Sequence, residues 1–379
     1  MNIKIKTSSI VKLLFLMAAV IYIIINLFAN PYIVSAGIKN GLMTSYCVLI
    51  PSLFPFLIIS SFILKSNLSY YISKPLSRLT SILFKLPACT GATIILSLIG
   101  GYPIGAKLIS ILYEKQEITK AQAERMLCFC VNSGPAFLIS AVGAIMLSSV
   151  KIGLFLFISQ TIASIVTGII VSRKNPPNDN LKSIARPKLN PSVGLVEAVS
   201  ESINNIILIC GFVVFFSCIT EIMKNSPFIS LPAIFLSLKY NEYSPTLFAG
   251  IIYGIIEITC GCRTISAAAS LYNILAISAL CSFSGISIIC QLTSIIKKSG
   301  LSIKPFLKSR LIHIPISILS MLFLIRMFPT ALETFSSGTK LQTAQIFSVS
   351  PVASLALLCS AFIFVFSTSN LNKVPKKKI

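Results

Sequence analysis

Two cations and one carboxylate interrupt apolar stretches of this sequence. Lys107 ends a glycine- and proline-broken turn at positions 100–106, Arg263 follows a second glycine-containing stretch, and Glu257 lies six residues before Arg263. A charged side chain inside a membrane segment costs on the order of 3 kcal/mol on insertion scales, so it usually has a partner or a function. Two cations that face one cavity would bind two negative charges. The pattern therefore predicts a site for a dicarboxylate or a similar small anion.

Other interpretations of the same three residues stay open. Lys107 is also compatible with a snorkelling residue at the end of a hairpin. Glu257 can pair with Arg263, carry a proton, or bind Na⁺ together with Thr259 and nearby carbonyl groups. The sequence therefore leaves the coupling ion, H⁺ or Na⁺, open, and it predicts no other cofactor and no metal site.

Glycines and small polar residues complete the predicted site. A helix broken at membrane depth is tolerated only where protein buries the break or where the break lines a cavity. Breaks at Ser133-Gly134 and Ser284-Gly285 would also offer helix N-termini to an anion. The polar side chains can equally form interhelical hydrogen bonds. The predicted substrate-binding residues are Lys107, Arg263, Asn132, Ser133, Ser284, Gly101, Gly105, Gly134, Gly261 and Gly285, with Glu257 and Thr259 as coupling residues.

The composition places these residues in a membrane protein. The chain has 379 residues, of which 55% are hydrophobic and 11% charged, and its mean hydropathy is +0.89. These values predict an all-α polytopic membrane protein whose main partner is the lipid bilayer. The net charge of +22 does not indicate a nucleic-acid partner, because the basic residues cluster between apolar runs as the positive-inside rule expects. The sequence is also compatible with a homo-oligomer.

Apolar runs and basic loops predict the order of the segments. Single spans are expected at 10–29, 126–147, 152–171, 203–222, 267–289, 312–328 and 346–366, and broken segments at 38–64, 89–106 and 245–262. Basic residues flank 89–106 on both sides, which predicts a re-entrant hairpin there. The expected units are an N-terminal helix (1–37), a first repeat (38–150), a helix with a basic linker (151–196), a second repeat (197–296), and C-terminal helices with a basic tail (297–379).

The two central units repeat each other in sequence. At an offset of 156 positions, Gly105-Ala106-Lys107-Leu108-Ile109-Ser110 matches Gly261-Cys262-Arg263-Thr264-Ile265-Ser266, and at an offset of 151 the stretch 130–134 matches 281–285. The predicted topology runs in opposite directions in the two units. An inverted repeat with broken helices is typical of secondary transporters, whose site lies at the repeat interface near the midplane.

Enzymatic chemistry has little support in this sequence. The turn before Lys107 is not a Walker loop, because Leu108 stands where Ser or Thr would bind magnesium. Two Cys-x-Cys pairs have no histidine beside them, and His313 stands alone on an apolar segment. We therefore expect a protein that is not an enzyme.

Four motifs together resemble one family. They are Pro51-Ser52-Leu53-Phe54-Pro55-Phe56, Gly101-Tyr102-Pro103-Ile104-Gly105-Ala106-Lys107, Asn132-Ser133-Gly134-Pro135 and Gly254-Ile255-Ile256-Glu257-Ile258-Thr259-Cys260-Gly261. These stretches resemble the YlbJ (SpoVV) family of sporulation integral membrane proteins, within the nucleoside-recognition "gate" superfamily. The resemblance implies a gate fold similar to concentrative nucleoside transporters. It also implies transport of dipicolinic acid from the mother cell across the outer forespore membrane of an endospore-forming bacterium.

The expected function is therefore secondary transport of a small organic anion, with dipicolinate as the leading substrate. The resemblance and the residues leave two alternatives of different kinds. One is a nucleoside or divalent-metal permease, which the wider superfamily includes. The other is a non-transporting membrane scaffold for spore-envelope assembly, which would depend on the loops or the tail.

Overall fold

The computed structural model describes residues 7–66, 68–173, 191–224, 235, 245–268 and 270–329. The described residues form helices and no β-strand, which confirms the all-α expectation. The predicted span at 346–366, the basic tail, most of the central linker and the 225–244 segment apart from residue 235 lie outside them. The helices are α1 (Thr7–Ala29), α2 (Pro31–Thr44), α3 (Ile50–Lys65), α4 (Ser69–Phe84), α5 (Gly91–Gly100), α6 (Tyr102–Glu114), α7 (Lys120–Cys130), α8 (Val150–Arg173), α9 (Pro191–Lys224), α10 (Pro245–Ile256), α11 (Ile258–Ile265), α12 (Leu271–Phe283), α13 (Gly285–Lys297) and α14 (Lys304–Met327).

Short non-α stretches connect some of these helices. A π-helical turn (Ser45–Leu49) joins α2 to α3, and a 3₁₀ turn (Ala88–Thr90) leads into α5. A longer π-helical stretch, Ala136–Met146, is called the π segment below. The predicted broken segment at 38–64 is therefore helical throughout, with a π-helical turn between α2 and α3.

Several helices are long and apolar enough to cross a bilayer. Four spans meet this condition in the described part of the chain, namely Val150–Arg173, Gly194–Lys224, Leu271–Lys297 and Lys304–Met327. A helix of 24 residues measures about 36 Å, which exceeds the thickness of about 30 Å of a hydrocarbon core. Two bent helix pairs raise the number of candidate spans to as many as six. The protein is thus an integral, multi-pass membrane protein.

Two helical hairpins form where the sequence predicts breaks. In the first, α5 and α6 turn at Gly101, whose φ of +86° is a conformation that favours glycine. In the second, α10 and α11 turn at Glu257. The two turning points are 156 positions apart, the same offset that relates the repeated sequences. The opposite orientation of the two units across the bilayer stays a prediction.

A broken helix follows each hairpin. In the first unit α7 ends at Cys130 and the π segment begins at Ala136. In the second unit α12 ends at Phe283 and α13 begins at Gly285, where both Ser284 (φ +85°) and Gly285 (φ +71°) are left-handed. These breaks coincide with the predicted helix interruptions, so the local glycine and polar pattern was sufficient to locate them.

The cores of the two units interlock. Leu292 and Ile296 of α13, in the second unit, pack in the same buried cluster as Ile109 of α6 and Phe129 of α7. The ring of Phe129 also stacks on Phe84, with centroids 4.7 Å apart. Because each unit completes the core of the other, the two hairpin turns are held at a shared interface.

One predicted boundary is wrong. The basic residues at 297–310, which include Arg310, predict a cytoplasmic loop before the span at 312–328, but α14 begins at Lys304. Arg310 consequently lies inside this helix and is buried. The positive-inside rule reads a cation near a span end as solvent-exposed, and it does not consider that neighbouring helices can supply hydrogen-bond acceptors.

Close glycine packing within the second hairpin gives a stability prediction. A Cβ atom on Gly261 would lie 2.2 Å from the Cα atom of Gly254, so Gly261→Ala must force α10 and α11 apart. We expect a loss of about 1–3 kcal/mol, seen as a lower midpoint of thermal unfolding in detergent. Gly211→Ala is the control, because nothing lies within 4 Å of its added Cβ. Equal midpoints for both variants would contradict the close packing.

Candidate functional site

A small cavity lies where the two hairpins meet. Its volume is about 50 Å³, which holds a few water molecules. The start of α6 lines one side with Gly101, Tyr102 and Pro103, and the start of α11 lines the other with Glu257, Ile258 and Thr259. Both units of the repeat therefore contribute equivalent backbone positions to one cavity.

Other helices close the cavity. The apolar walls come from α3 and α9, and the break before the π segment contributes Gly134. The backbone of Gly134 approaches the first hairpin so closely that a Cβ on Gly101 would lie 3.0 Å from the Gly134 nitrogen. A side chain at either position would fill this contact, so glycine is needed where the hairpin meets the broken helix.

Glu257 caps the second helix start. Its side chain is 2% exposed, and its carboxylate oxygens accept hydrogen bonds from the backbone N–H groups of Thr259 (3.0 Å) and Cys260 (2.7 Å). The first N–H groups of a helix lack partners within the helix and carry partial positive charge, so a carboxylate is favourable there. The partial positive charge at the N-terminal end of α11 is therefore neutralised by a side chain of the protein itself.

The equivalent start of α6 has no such cap. Gly101 occupies its N-cap position, and no side chain accepts a hydrogen bond from the first turn. Pro103 follows at the second helical position, which leaves one N–H group fewer to satisfy. The uncapped helix start faces the same cavity as the Glu257 carboxylate. The two equivalent helix starts therefore differ in whether a side chain of the protein caps them.

Gln291 adds a neutral polar group to the cavity. It lies on α13, lines the cavity and is 1% exposed. Its Nε2 atom donates to the Ser287 hydroxyl at 3.4 Å, whereas its Oε1 atom has no hydrogen-bond partner in the described part of the chain. A buried amide oxygen without a partner is costly, so a donor on a ligand would be favourable here.

Tyr102 connects the cavity to the second unit. Its hydroxyl donates a hydrogen bond to the Cys281 carbonyl in α12, and it accepts one from the Ser133 hydroxyl at 2.6 Å. Ser284 is fully buried beside the same hydroxyl. The predicted residues Ser133 and Ser284 thus lie behind the cavity wall rather than on its surface.

The two predicted cations do not line the cavity in the described part of the chain. Lys107 forms an ion pair with Glu201 of α9 at 2.5 Å, and Glu201 also lies 3.5 Å from Lys65. Lys65 in turn pairs with Glu197 at 3.0 Å. Arg263 lies on α11 with its side chain exposed. Their role as carboxylate ligands stays a prediction.

The other predicted residues divide between lining and packing. Gly101, Gly134, Glu257 and Thr259 line the cavity. The remaining glycines lie at helix contacts, where an added Cβ would lie 2.0 Å from the Cys130 carbonyl oxygen (Gly105), 2.2 Å from Gly254 (Gly261) and 3.0 Å from the Gly254 carbonyl oxygen (Gly285). Asn132 donates to the Phe129 carbonyl at 2.5 Å and to the Ser164 hydroxyl at 3.0 Å, so it joins helices.

Sequence reasoning missed Tyr102 as a lining residue and Arg310 as a buried one. The signal for Arg310 is the apolar stretch that directly follows it in the sequence. The carbonyl groups that accept its hydrogen bonds could not be read from the sequence, because they lie 28 and 182 positions away along the chain. Within the described residues, no group of three or more His, Cys, Asp or Glu side chains is placed to hold a metal ion.

Comparison with known proteins gives a similarity that agrees with the motifs. The chain is 23% identical over 299 residues to the sporulation integral membrane protein YlbJ of Bacillus subtilis (strain 168), covering 73% of each chain. No family model matches the chain, and no solved structure matches it. The similarity confirms the resemblance to YlbJ and supports a YlbJ-type family, whereas membership of the gate superfamily stays a prediction.

The ion pair of Lys107 gives a prediction that separates its two possible roles. Lys107→Gln removes one of the two ion-pair partners of Glu201, and Glu201→Gln removes the ion-pair partner of Lys107. The double variant removes both charges. We expect the double variant to be more stable than the sum of the single changes predicts, by about 0.5–1 kcal/mol in a double-mutant cycle of thermal unfolding. A coupling of zero would contradict the pairing.

Transport by the double variant then tests the role of the ammonium group. If Lys107 only holds α6 against α9, the stable double variant keeps its uptake of substrate. If the ammonium group binds substrate, uptake is lost even though stability is recovered.

Proposed function

We propose that this protein is a secondary transporter of a small organic anion, most specifically dipicolinate. In this proposal it exports dipicolinate from the mother cell across the outer forespore membrane during sporulation. The similarity to a sporulation integral membrane protein supports the sporulation context, and the family resemblance of the motifs supports the substrate. The multi-pass membrane architecture is a requirement that the protein meets.

One observation carries the proposal, namely the unequal capping of two equivalent helix starts. The start of α11 holds the carboxylate of Glu257, and the start of α6 holds no side chain at Gly101. Both face the same cavity. Backbone N–H groups at a helix start bind carboxylates without a formal positive charge. A substrate carboxylate would therefore occupy at α6 the place that the Glu257 carboxylate occupies at α11.

Glu257 has a second role in this proposal. Two negative charges in one small cavity repel each other, so binding of an anion becomes favourable when Glu257 is neutralised. A proton on the carboxyl group or a Na⁺ ion held with Thr259 would do this. Transport would then be coupled to that ion, and no other cofactor and no enzymatic step are part of the proposal.

The position of the cavity supports a mechanism of alternating access. The cavity lies between two hairpins, one from each unit of the repeat. Separation of the hairpins on one side would open it to the substrate. Hairpins that turn at single residues and pack on each other's units are suited to moving as rigid bodies, as in gate-type transporters.

The central test is uptake of labelled dipicolinate into proteoliposomes. We expect saturable, ion-gradient-driven uptake by the wild type and a decrease of about tenfold or more for Glu257→Gln, because the amide cannot exchange a proton or bind Na⁺ as a carboxylate does. Glu221→Gln is the matched control. Glu221 also lies on a membrane helix, but it pairs with Lys224 at 2.9 Å and does not line the cavity.

Three results would contradict the proposal in different ways. Absence of uptake by folded wild-type protein, with and without ion gradients, would favour the scaffold alternative. Competition by uridine but not by pyridine carboxylates would favour a nucleoside permease. Uptake of divalent metals that depends on the Cys-x-Cys pairs would favour a metal permease.

A further inference from the structure

Arg310 is a buried cation whose charge has no carboxylate partner among the described residues. Its side chain lies on α14, about 9 Å along the axis from Lys304, and the residue is 3% exposed. No Asp or Glu carboxylate of the described residues lies within 4.0 Å of its guanidinium group. Lys107, in contrast, is neutralised by Glu201 at 2.5 Å. Arg310 is thus a source of net positive charge inside the protein.

Neutral oxygen atoms hold the guanidinium group in place. Nη2 donates to the Cys128 carbonyl at 2.6 Å and to the Ser309 hydroxyl at 3.2 Å. Nη1 donates to the Ser282 carbonyl at 3.1 Å and to Asn132 Oδ1 at 3.4 Å. The face of the group also lies 4.4 Å from the Phe306 ring. These contacts satisfy donors on both Nη atoms, whereas Nε has no hydrogen-bond partner among the described residues, and none of them cancels the charge.

The contacts place this charge directly behind the cavity. Cys128 is in the last turn of α7 and Ser282 in the last turn of α12, so Arg310 joins the two broken helices next to their breaks. The carbonyl that precedes Ser282 in the chain, that of Cys281, accepts the hydrogen bond of Tyr102. Tyr102 lines the cavity. One peptide unit and one phenol group therefore separate the guanidinium from the cavity.

We infer that Arg310 is the residue that selects negatively charged substrates, and that it acts through its electric field without contacting them. This inference rests on the proposed transport of an anion and names the cation that favours it. The inference explains how a cavity lined by Glu257 and without a cation of its own can accept an anion. Arg310 offsets the charge of Glu257 when that carboxylate is ionised.

The expected effect depends on the charge of the substrate. Two opposite unit charges about 10 Å apart attract each other in a medium of effective dielectric about 20. This attraction raises the binding affinity roughly 10- to 20-fold for each negative charge on the substrate. Arg310→Gln should therefore raise KM about tenfold more for pyridine-2,6-dicarboxylate than for pyridine-2-carboxylate. Binding of the uncharged pyridine-2,6-dicarboxamide should not change. Arg310→Lys retains the charge and should restore most of the preference for the dianion.

A second variant keeps the test informative if Arg310→Gln folds poorly. Asn132→Asp places a carboxylate about 3.4 Å from Nη1, so it neutralises Arg310 while the arginine remains; it also replaces the amide that donates to the Phe129 carbonyl and the Ser164 hydroxyl. The same loss of dianion preference is expected. Asn40→Asp is the control, because it adds a carboxylate at an exposed position of α2, a helix that does not line the cavity.

Binding is measured by thermal stabilisation of the purified protein, in parallel with uptake by proteoliposomes. Charge-dependent stabilisation without uptake would support the role of Arg310 and contradict the transport proposal. Uptake with an unchanged ratio of KM values in Arg310→Gln and Asn132→Asp would support transport and overturn the role of Arg310. Equal losses for all three pyridine compounds would indicate a merely structural role and also overturn it. Absence of both binding and uptake would overturn both proposals.

Discussion

Backbone groups that are freed where membrane helices break must find partners inside the protein, and this constraint organises the structure. Lipid supplies neither donors nor acceptors, so an unpaired N–H or carbonyl group costs several kcal/mol. Glu257 accepts the first N–H groups of α11, and Tyr102 donates to the Cys281 carbonyl at the end of α12. Arg310 donates to carbonyl groups of both α7 and α12. The polar groups near the cavity are therefore first of all what makes broken helices stable.

The same constraint explains why glycines gather around the breaks. Two backbone segments can form hydrogen bonds with each other only when they approach closely. A Cβ atom between them would prevent this close approach. A Cβ atom on Gly101 would lie only 3.0 Å from the Gly134 nitrogen. Gly254 and Gly261 likewise bring the arms of the second hairpin together. The close contact between its arms makes the second hairpin a compact unit. In the proposed mechanism such compactness allows the hairpins to move as units when the cavity opens.

The positions of the breaks could be predicted from the sequence, and the partners of the charged residues could not. A glycine or proline acts on its own backbone, so the interruptions at Gly101, Gly134 and Gly285 are local properties. A cation in an apolar segment shows only that it needs a partner. The partner of Lys107 is Glu201, 94 positions later in the chain and on a helix that begins earlier than its hydropathy suggests. Arg310 was assigned to a loop for the same reason, because its acceptors are carbonyl groups of distant helices.

The small differences between the two repeats carry more functional information than their similarity. Identical hairpins would present two identical helix starts to the cavity, and neither would be distinguished for substrate or for a coupling ion. Glycine at 101 and glutamate at 257 break this equivalence at one pair of positions. In the proposed mechanism one helix start is left for a substrate carboxylate, and the other carries an acid that a proton or Na⁺ can neutralise. Arg310 lies outside both repeats and contacts both broken helices, so its charge acts on the cavity from a position that the symmetry of the repeats does not determine.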